Sequence, residues 1–182
     1  MKKRQLPGKP LKKSKSQLAK LIKKSPLGLR LSGRNCRKLA TICQVRQLKR
    51  DEILILENAD SGQLYHIVKG SLSVGKDLTP LLGQEADHSE YKLNILTEGN
   101  LAGVFGLLQN VPRTATLTTL EPTTVLAMDR KAFKKLAKKD PALGFKVLEA
   151  VIFVIRSILV QMNLFSLDMD EVRNETLTKG ID

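Results

Sequence analysis

The segment Leu64-Tyr65-His66-Ile67-Val68-Lys69-Gly70-Ser71-Leu72-Ser73-Val74 contains two short apolar runs separated by Lys-Gly. Runs of this length that are rich in Val, Ile, Leu and Tyr favour β-strands, and Gly between them is typical of a turn. Similar runs surround the segment, at 44–49, 53–56, 92–96, 101–108, 114–119 and 123–128. Many short strands at close spacing predict an antiparallel β-sandwich or barrel, and the polar residues 76–91 predict a loop within it.

Helical spacing precedes the β region. Gly33-Arg34-Asn35 is a plausible helix start, and Cys36, Leu39 and Cys43 then recur at helical intervals. Cys36 and Cys43 are seven residues apart, so we expect both thiols on one helix face as small core residues.

Helical spacing returns after the β region. Asp140-Pro141 predicts a helix break followed by a helix start, and residues 141–163 are predicted to form one helix. One apolar stripe of this helix consists of Phe145, Leu148, Ile152, Ile155, Leu159 and Met162. Val147, Val151, Val154 and Ile158 widen the stripe, which indicates that the helix buries more than one face.

The charge is concentrated at one end of the chain. Residues 1–50 contain 17 Lys and Arg and no Asp or Glu, whereas residues 51–182 contain the other 14 basic and all 18 acidic residues. We expect residues 1–24 to form a basic, flexible leader with a short helix at 16–24, whose loss leaves the barrel folded. Such a leader is suited to an acidic partner, either nucleic acid or an anionic membrane surface; a solvated tail with no fixed partner is the alternative.

Three segments, in order, resemble the cyclic nucleotide-binding domain family, the effector-binding domain of catabolite-activator-like proteins. The first family pattern, Gly-Glu-x-Ile, resembles Asp51-Glu52-Ile53-Leu54. It is followed in the family by Leu-Tyr-x-Ile-x-x-Gly-x-Val, which resembles the segment from Leu64 to Val74. The family pattern Leu-x-x-Gly-Asp-x-Phe-Gly resembles the segment Leu96-Thr97-Glu98-Gly99-Asn100-Leu101-Ala102-Gly103. The family pattern Pro-Arg-x-Ala-Thr resembles the segment Pro112-Arg113-Thr114-Ala115-Thr116. The resemblance covers roughly residues 25–163. It implies a mainly β fold with flanking helices: a double-stranded β-helix (jelly-roll) barrel with an N-terminal helix and a long C-terminal helix.

The same resemblance implies a phosphate cassette made of Gly103, Val104, Phe105, Arg113, Thr114 and Ala115. In the family, a short helix after the Gly directs its N-terminal amides at the cyclic phosphate, and an Arg pairs with the phosphate oxygens. Arg113 follows Gly103 by ten residues, the family's separation. Thr114 resembles the hydroxyl that favours cyclic GMP in some members. The alternative for Arg113 is a surface salt bridge, and for Thr114 an ordinary strand residue.

The cassette departs from the family pattern at one position. The family's Gly is followed by a Glu whose carboxylate accepts hydrogen bonds from the ribose 2′-hydroxyl, but Gly103 is followed by Val104. If Phe105-Gly106 is aligned with the Phe-Gly of the family pattern instead, the residue at the Glu position is Leu107. A buried hydroxyl left unpaired costs roughly 1–3 kcal/mol, or about 10- to 100-fold in affinity. We therefore expect cyclic AMP or cyclic GMP to bind weakly or not at all, with Val104 and Phe105 filling the ribose space.

The sequence does not favour an enzyme. His66 and His88 are isolated, and His66 alternates with Tyr65 and Ile67, so we expect it to face solvent. Two Cys and two His cannot form a four-ligand zinc site of normal spacing, and no phosphate-loop motif occurs. No signal-peptide pattern and no membrane span are predicted, so we expect a soluble, cytoplasmic protein.

The predicted organisation has four parts: a basic leader at 1–24, a barrel with its N-terminal helix at 25–137, a C-terminal helix at 138–163 and a polar tail at 164–182. The residues after Asn163 are too few for a helix-turn-helix domain, so we do not expect sequence-specific DNA binding of that kind. The resemblance implies a non-enzymatic regulatory module. Homodimerisation is predicted through Leu148, Ile152, Ile155, Leu159 and Met162. The alternative is that this helix packs within one chain, against the N-terminal helix.

Overall fold

Two antiparallel sheets form the centre of the protein. The structure, a computed structural model, describes residues 7–60, 62–76, 91–109 and 111–178, with only the backbone described at 91–93 and 161–178. One sheet has the strand order β1-β2-β9-β4-β7 and the other β3-β8-β5-β6. The strands are β1 Lys9–Leu11, β2 Cys43–Leu48, β3 Ile53–Ile55, β4 Gln63–Lys69, β5 Leu72–Lys76, β6 Tyr91–Leu96, β7 Leu101–Ala102, β8 Thr116–Thr119 and β9 Thr123–Asp129.

The predicted β fold with flanking helices is confirmed. The loop predicted at 76–91 lies, apart from its two ends, outside the described residues. Lys76 and Tyr91, the two ends, belong to the paired strands β5 and β6. Residues 101–108, expected from their apolar run as one strand, form the two-residue strand β7 and then the short helix that the resemblance implies after Gly103.

The sheets enclose an aliphatic interior. Successive side chains of a strand point to opposite faces, and on β4 Tyr65 and Ile67 point into the space between the sheets. Both sheets contribute to this interior, whose buried members are Leu48, Leu54, Ile55, Tyr65, Ile67, Leu72, Ala102, Leu117, Val125 and Ala127.

A second core covers the outer face of the five-stranded sheet. Leu64 of β4 and Leu126 and Met128 of β9 point to this side, where they are buried against helices. The helices are α1 Lys15–Lys24, α2 Gly33–Leu39, α3 Phe105–Leu108, α4 Arg130–Lys139 and α5 Pro141–Thr178, with 3-10 turns at Gly28–Arg30 and Ala40–Ile42. The central strands of this sheet are therefore buried on both faces.

The short helix expected at 16–24 is present as α1, but the residues of β1 and α1 are packed on the barrel and do not form the flexible leader expected at 1–24. β1 pairs with β2, and the side chains of Leu18, Ala19 and Ile22 on α1 are buried in the outer core. Ser14 caps α1 by a capping box with Gln17. The few apolar residues of α1 lie among many lysines, so its sequence shows no clear sign of a buried side. These apolar side chains are buried only because they pack in the outer core.

Charged side chains hold the start of the chain on the barrel. Arg46 donates hydrogen bonds to the carbonyls of Pro7 and Gly8. The Glu52 carboxylate accepts from the backbone N–H of Gly8 at 2.7 Å and from that of Lys49 at 2.9 Å. These contacts fasten the strand that precedes α1.

Helix α5 begins as predicted but is longer than predicted. Asp140 caps it by accepting from the Leu143 N–H at 3.1 Å, and Pro141 occupies the first helical position. The backbone stays helical to Thr178, so the polar tail expected from residue 164 continues the helix. The face toward the barrel buries Leu143, Val147, Ala150, Val151 and Val154.

The two cysteines do not share a helix face. α2 ends at Leu39, and Cys43 is already the first residue of β2. Both still contribute to the outer core, Cys36 fully buried and Cys43 at its margin. Their helical spacing is therefore coincidental, although their small-core role is as predicted.

We predict that the leader contributes to folding stability. Ile22→Ala should lower the free energy of unfolding by about 2–5 kcal/mol, because it opens a cavity in the outer core. Removing residues 1–24 should destabilise the barrel still more, contrary to the expectation from sequence. Urea unfolding measures both, with Lys20→Ala on the exposed side of α1 as the matched control. A truncated protein with the full-length midpoint would contradict the prediction.

Candidate functional site

The cassette is a sharp turn between β7 and α3. Gly103 has a φ of +72°, in the left-handed region that glycine adopts without strain. The turn is closed by hydrogen bonds from the Gly106 N–H to the Gly103 carbonyl and from the Leu107 N–H to the Val104 carbonyl, at 3.0 and 3.1 Å. A side chain at residue 103 would collide with Arg113, because a Cβ there would lie 2.1 Å from the Nη1 atom of that arginine.

Gly103 and Arg113, predicted as partners in the cassette, are thus brought into contact. Arg113 is only 8% exposed and donates from Nη2 to the Gln63 carbonyl at 2.6 Å. Its own N–H donates to the Ala59 carbonyl at 3.2 Å, and its carbonyl accepts from the Asn58 N–H at 2.9 Å. Both its backbone and its guanidinium are therefore fixed.

The Arg113 guanidinium is a buried positive charge. Burial lowers the pKa of Arg113, the neighbouring Tyr65 raises it and the charge of Arg130 lowers it. Among the described residues no carboxylate lies within salt-bridge distance of Arg113, which differs from the surface salt bridge weighed as an alternative. A desolvated cation held by one carbonyl favours an anion at the Gly103 turn.

The position of the missing carboxylate belongs to the hydrophobic core. Val104 is 6% exposed and is buried in the outer core together with Leu101 and Leu107. Phe105 is 60% exposed at the first turn of α3. The expectation that Val104 and Phe105 fill the ribose space stays a prediction.

The remaining cassette residues follow Arg113 directly. Thr114 is exposed, Ala115 is half-buried, and both precede β8. Thr114 is thus accessible to a ligand, and it lies before the first residue of β8 that pairs with β5.

Two residues beside Arg113 were not predicted from the sequence. Tyr65 and Gln63 lie two apart on β4 and so share its inward face. Burial raises the pKa of the Tyr65 phenol, and the charges of Arg113 and Arg46 lower it. The Gln63 side chain donates to Asp129 at 2.9 Å, while its buried Oε1 has no hydrogen-bond partner among the described residues. The strand alternation could have indicated this face, but not that the Arg113 guanidinium lies beside it.

His66 faces the covered side of the sheet, so the expectation that it faces solvent is wrong. It is 7% exposed, and its Nδ1 has no hydrogen-bond partner in the described part of the chain. Burial lowers the pKa of His66, and a hydrogen bond to the Asn100 backbone and the charge of Glu98 raise it in part. Burial therefore disfavours the protonated form of this imidazole.

The residues predicted for a dimer lie together on α5. Ile152 is 64% exposed and Leu159 55%, and the side chains of Leu148 and Ile155 are half-buried between them. The side chain of Met162 lies outside the described residues. Phe145, on the same line of the helix, is also exposed.

Two kinds of site are not found in the part of the chain that the structure describes. It contains no group of three or more His, Cys, Asp or Glu placed to hold a metal ion. None of its helices is both long and apolar enough to cross a membrane.

A family model described as "Cyclic nucleotide-binding domain" matches residues 45–140. A cAMP-dependent protein kinase regulatory subunit from Neurospora crassa is 31% identical over 86 residues, which are 46% of this chain and 22% of that protein. The chain thus spans about a fifth of this curated relative.

Solved structures share the fold. A cyclic nucleotide-binding domain from Methylobacillus flagellatus superimposes with a TM-score of 0.68 at 23% identity, covering 81% of this chain and 79% of that one. The catabolite activator protein of Thermus thermophilus gives a TM-score of 0.60 at 22% identity, covering 78% of this chain and 63% of that one.

We predict that stability falls as the pH is lowered through the range of His66. An unfolded histidine has a pKa near about 6.5, and burial holds the folded value lower. Below about pH 6.5 the unfolded chain therefore binds a proton that the folded chain does not, which favours unfolding. His66→Gln should remove this dependence between about pH 7.5 and 5.5, above the range of ordinary carboxylates.

Urea unfolding at several pH values measures the effect, and His88→Gln is the matched control. The prediction would be contradicted if the free energy of unfolding of His66→Gln kept the pH dependence of the unmodified protein. It would also be contradicted if His88→Gln lost that pH dependence.

Proposed function

Because the chain belongs to the cyclic nucleotide-binding domain family, we propose that it is a non-enzymatic regulatory module with weak or lost binding of cyclic AMP and cyclic GMP. The observation that carries this proposal is the burial of Val104 in the outer core, at the position where the ribose acceptor is expected. Arg113 would supply a cation for the phosphate, whereas the residue that follows Gly103 is Val104 and supplies no carboxylate for the sugar.

The cassette is connected to the helices that would transmit its state. Leu107 of α3 is buried in the same core as Phe133 of α4 and Val147 of α5. Arg130, the first residue of α4, donates to the carbonyl of Gln109 at the end of α3, at 2.6 Å. A shift of α3 would therefore repack α4 and α5, which supports a regulatory rather than a catalytic role.

The exposed side of α5 supports a homodimer. Phe145, Ile152 and Leu159 are spaced by seven residues, and Leu148 and Ile155 follow the first two by three. This is the a/d pattern of a coiled coil, whose apolar positions need a second helix. Leu148 and Ile155 pack at the margin of the outer core, whereas Phe145, Ile152 and Leu159 stay exposed in a single chain, and a second helix would cover them.

The alternative function is binding of an acidic partner through residues 1–24 alone. In the folded protein, part of this segment is packed on the barrel, so its lysines would bind as part of a larger surface. The lysines of α1 extend from a helix that packs against α2, so they would act with their neighbours on the folded surface. A free basic tail is not needed for such binding.

We predict no cyclic nucleotide binding tighter than about 1 µM. The unpaired ribose hydroxyl should cost about 10- to 100-fold, and isothermal titration calorimetry at physiological salt measures the affinity. Arg113→Ala should remove any weak binding, because it removes the cation at the turn. Sub-micromolar binding by the unmodified protein would overturn the proposal.

Val104→Glu should have two opposed effects. It lowers the melting temperature of the free protein, because it introduces a carboxylate where Val104 packs in the core. Millimolar cyclic AMP or cyclic GMP should then raise the melting temperature, since a ligand that binds only the folded state stabilises it. Val104→Leu is the matched control and should show a smaller rise than Val104→Glu, because weak binding at millimolar ligand also stabilises a protein without the carboxylate. A rise in Val104→Glu no larger than that in Val104→Leu would argue against the ribose assignment.

We predict that the protein is a homodimer at tens of micromolar, and that Ile152→Asp with Leu159→Asp makes it monomeric. Both side chains are exposed in a single chain, so the substitutions should act on association and not on folding. Ile53→Asp with Ile95→Asp, on the exposed face of the four-stranded sheet, is the matched control. Light scattering that finds the unmodified protein monomeric would exclude the dimer.

A further inference from the structure

A basic surface extends over α1, α2 and α4. We define the basic helix surface as the exposed Lys and Arg side chains within Lys15–Lys24, Gly33–Leu39 and Arg130–Lys139. These three helices contain 13 Lys and Arg and no Asp or Glu, so no acid within them can neutralise the charge. The strongly basic character of the first 50 residues is therefore continued by a helix that follows the barrel.

Contacts between the helices make this one surface. The charges of Lys23 on α1 and Arg37 on α2 both act on the Cys36 thiol. Lys38 of α2 forms an ion pair with Asp140, the residue that follows α4, and the charge of Arg34 acts on the same carboxylate. The one acid at this junction is thus paired, and Lys138 and Lys139 remain exposed beside it.

The chemistry of the surface favours phosphates over lipid. Throughout the described residues of these helices, no large apolar side chain is exposed, and the apolar side of α1 is buried in the outer core. A helix that lies in a membrane interface needs an exposed apolar face, which these helices lack. Exposed aromatic residues, on which single-stranded bases stack, are also lacking on the three helices.

We propose that the basic helix surface binds the phosphate backbone of double-stranded nucleic acid without reading its sequence. A ten-residue helix such as α4 is about 15 Å long, and a duplex carries one charge per roughly 1.7 Å of its axis, or about nine over that length. The repeated lysines of α4 match such a dense line of anions. This activity does not depend on the phosphate cassette.

Fluorescence anisotropy with a labelled duplex of arbitrary sequence tests the proposal on the full chain. We expect a dissociation constant of about 1–100 µM at physiological salt, similar values for unrelated sequences and a steep loss between about 50 and 200 mM NaCl. The variant Arg34→Gln with Lys138→Gln and Lys139→Gln removes three charges around Asp140. It should raise the dissociation constant about tenfold or more and lower the salt slope by up to about three.

The matched control removes three exposed charges from the other end of the barrel: Lys49→Gln with Arg50→Gln and Lys69→Gln. β2 runs from Cys43 beside α2 to Leu48, and β4 runs parallel to it with Lys69 at the far end, so these charges lie away from the three helices. The control should bind the duplex as the unmodified protein does. Equal losses in both variants, or no duplex binding at about 50 mM NaCl, would overturn the proposal. Binding to phosphatidylserine vesicles without binding to the duplex would also overturn it, in favour of a membrane.

Discussion

The central strands of the five-stranded sheet are buried on both faces, and the rest of the structure depends on this constraint. A sheet in a two-layer barrel needs only one apolar face, but β4 and β9 carry apolar side chains on both. Leu64, Leu126 and Met128 would expose a large apolar area if the outer face were open. α1, α2, α4 and α5 cover it, and the leader is drawn into the fold for this reason.

The same outer core accounts for the altered cassette. Val104 lies where the chain turns from β7 into α3, and its side chain joins Leu101 and Leu107 under the helices. An apolar residue there links the cassette firmly to the core, at the expense of a polar contact to a sugar. Arg113, in contrast, keeps its guanidinium on the Gly103 turn, where no side chain obstructs it. The site that we propose therefore has Arg113 to contact an anion and an apolar residue, Val104, where the hydroxyl acceptor is expected.

Sequence patterns were most informative where local geometry decides the outcome. The alternation in β4 predicted that Tyr65 and Ile67 point inward, and the family spacing predicted that Gly103 and Arg113 belong together. The patterns failed where a distant element decides. Nothing in the period of β4 reveals that helices cover His66, and the apolar residues of α1 are too few among lysines to indicate burial without the sheet below them. The end of α5 was missed because a polar helix without a terminating Gly or Pro resembles a tail.

Amide NMR of the full chain during titration with cyclic AMP shows whether the cassette has its cation, Arg113, but lacks the ribose acceptor, because each residue gives a separate signal. We expect shifts at the amides of Gly103, Val104 and Arg113 that grow steadily and approach saturation only at about millimolar ligand. Saturation of these shifts at an equimolar amount of cyclic AMP would contradict this expectation.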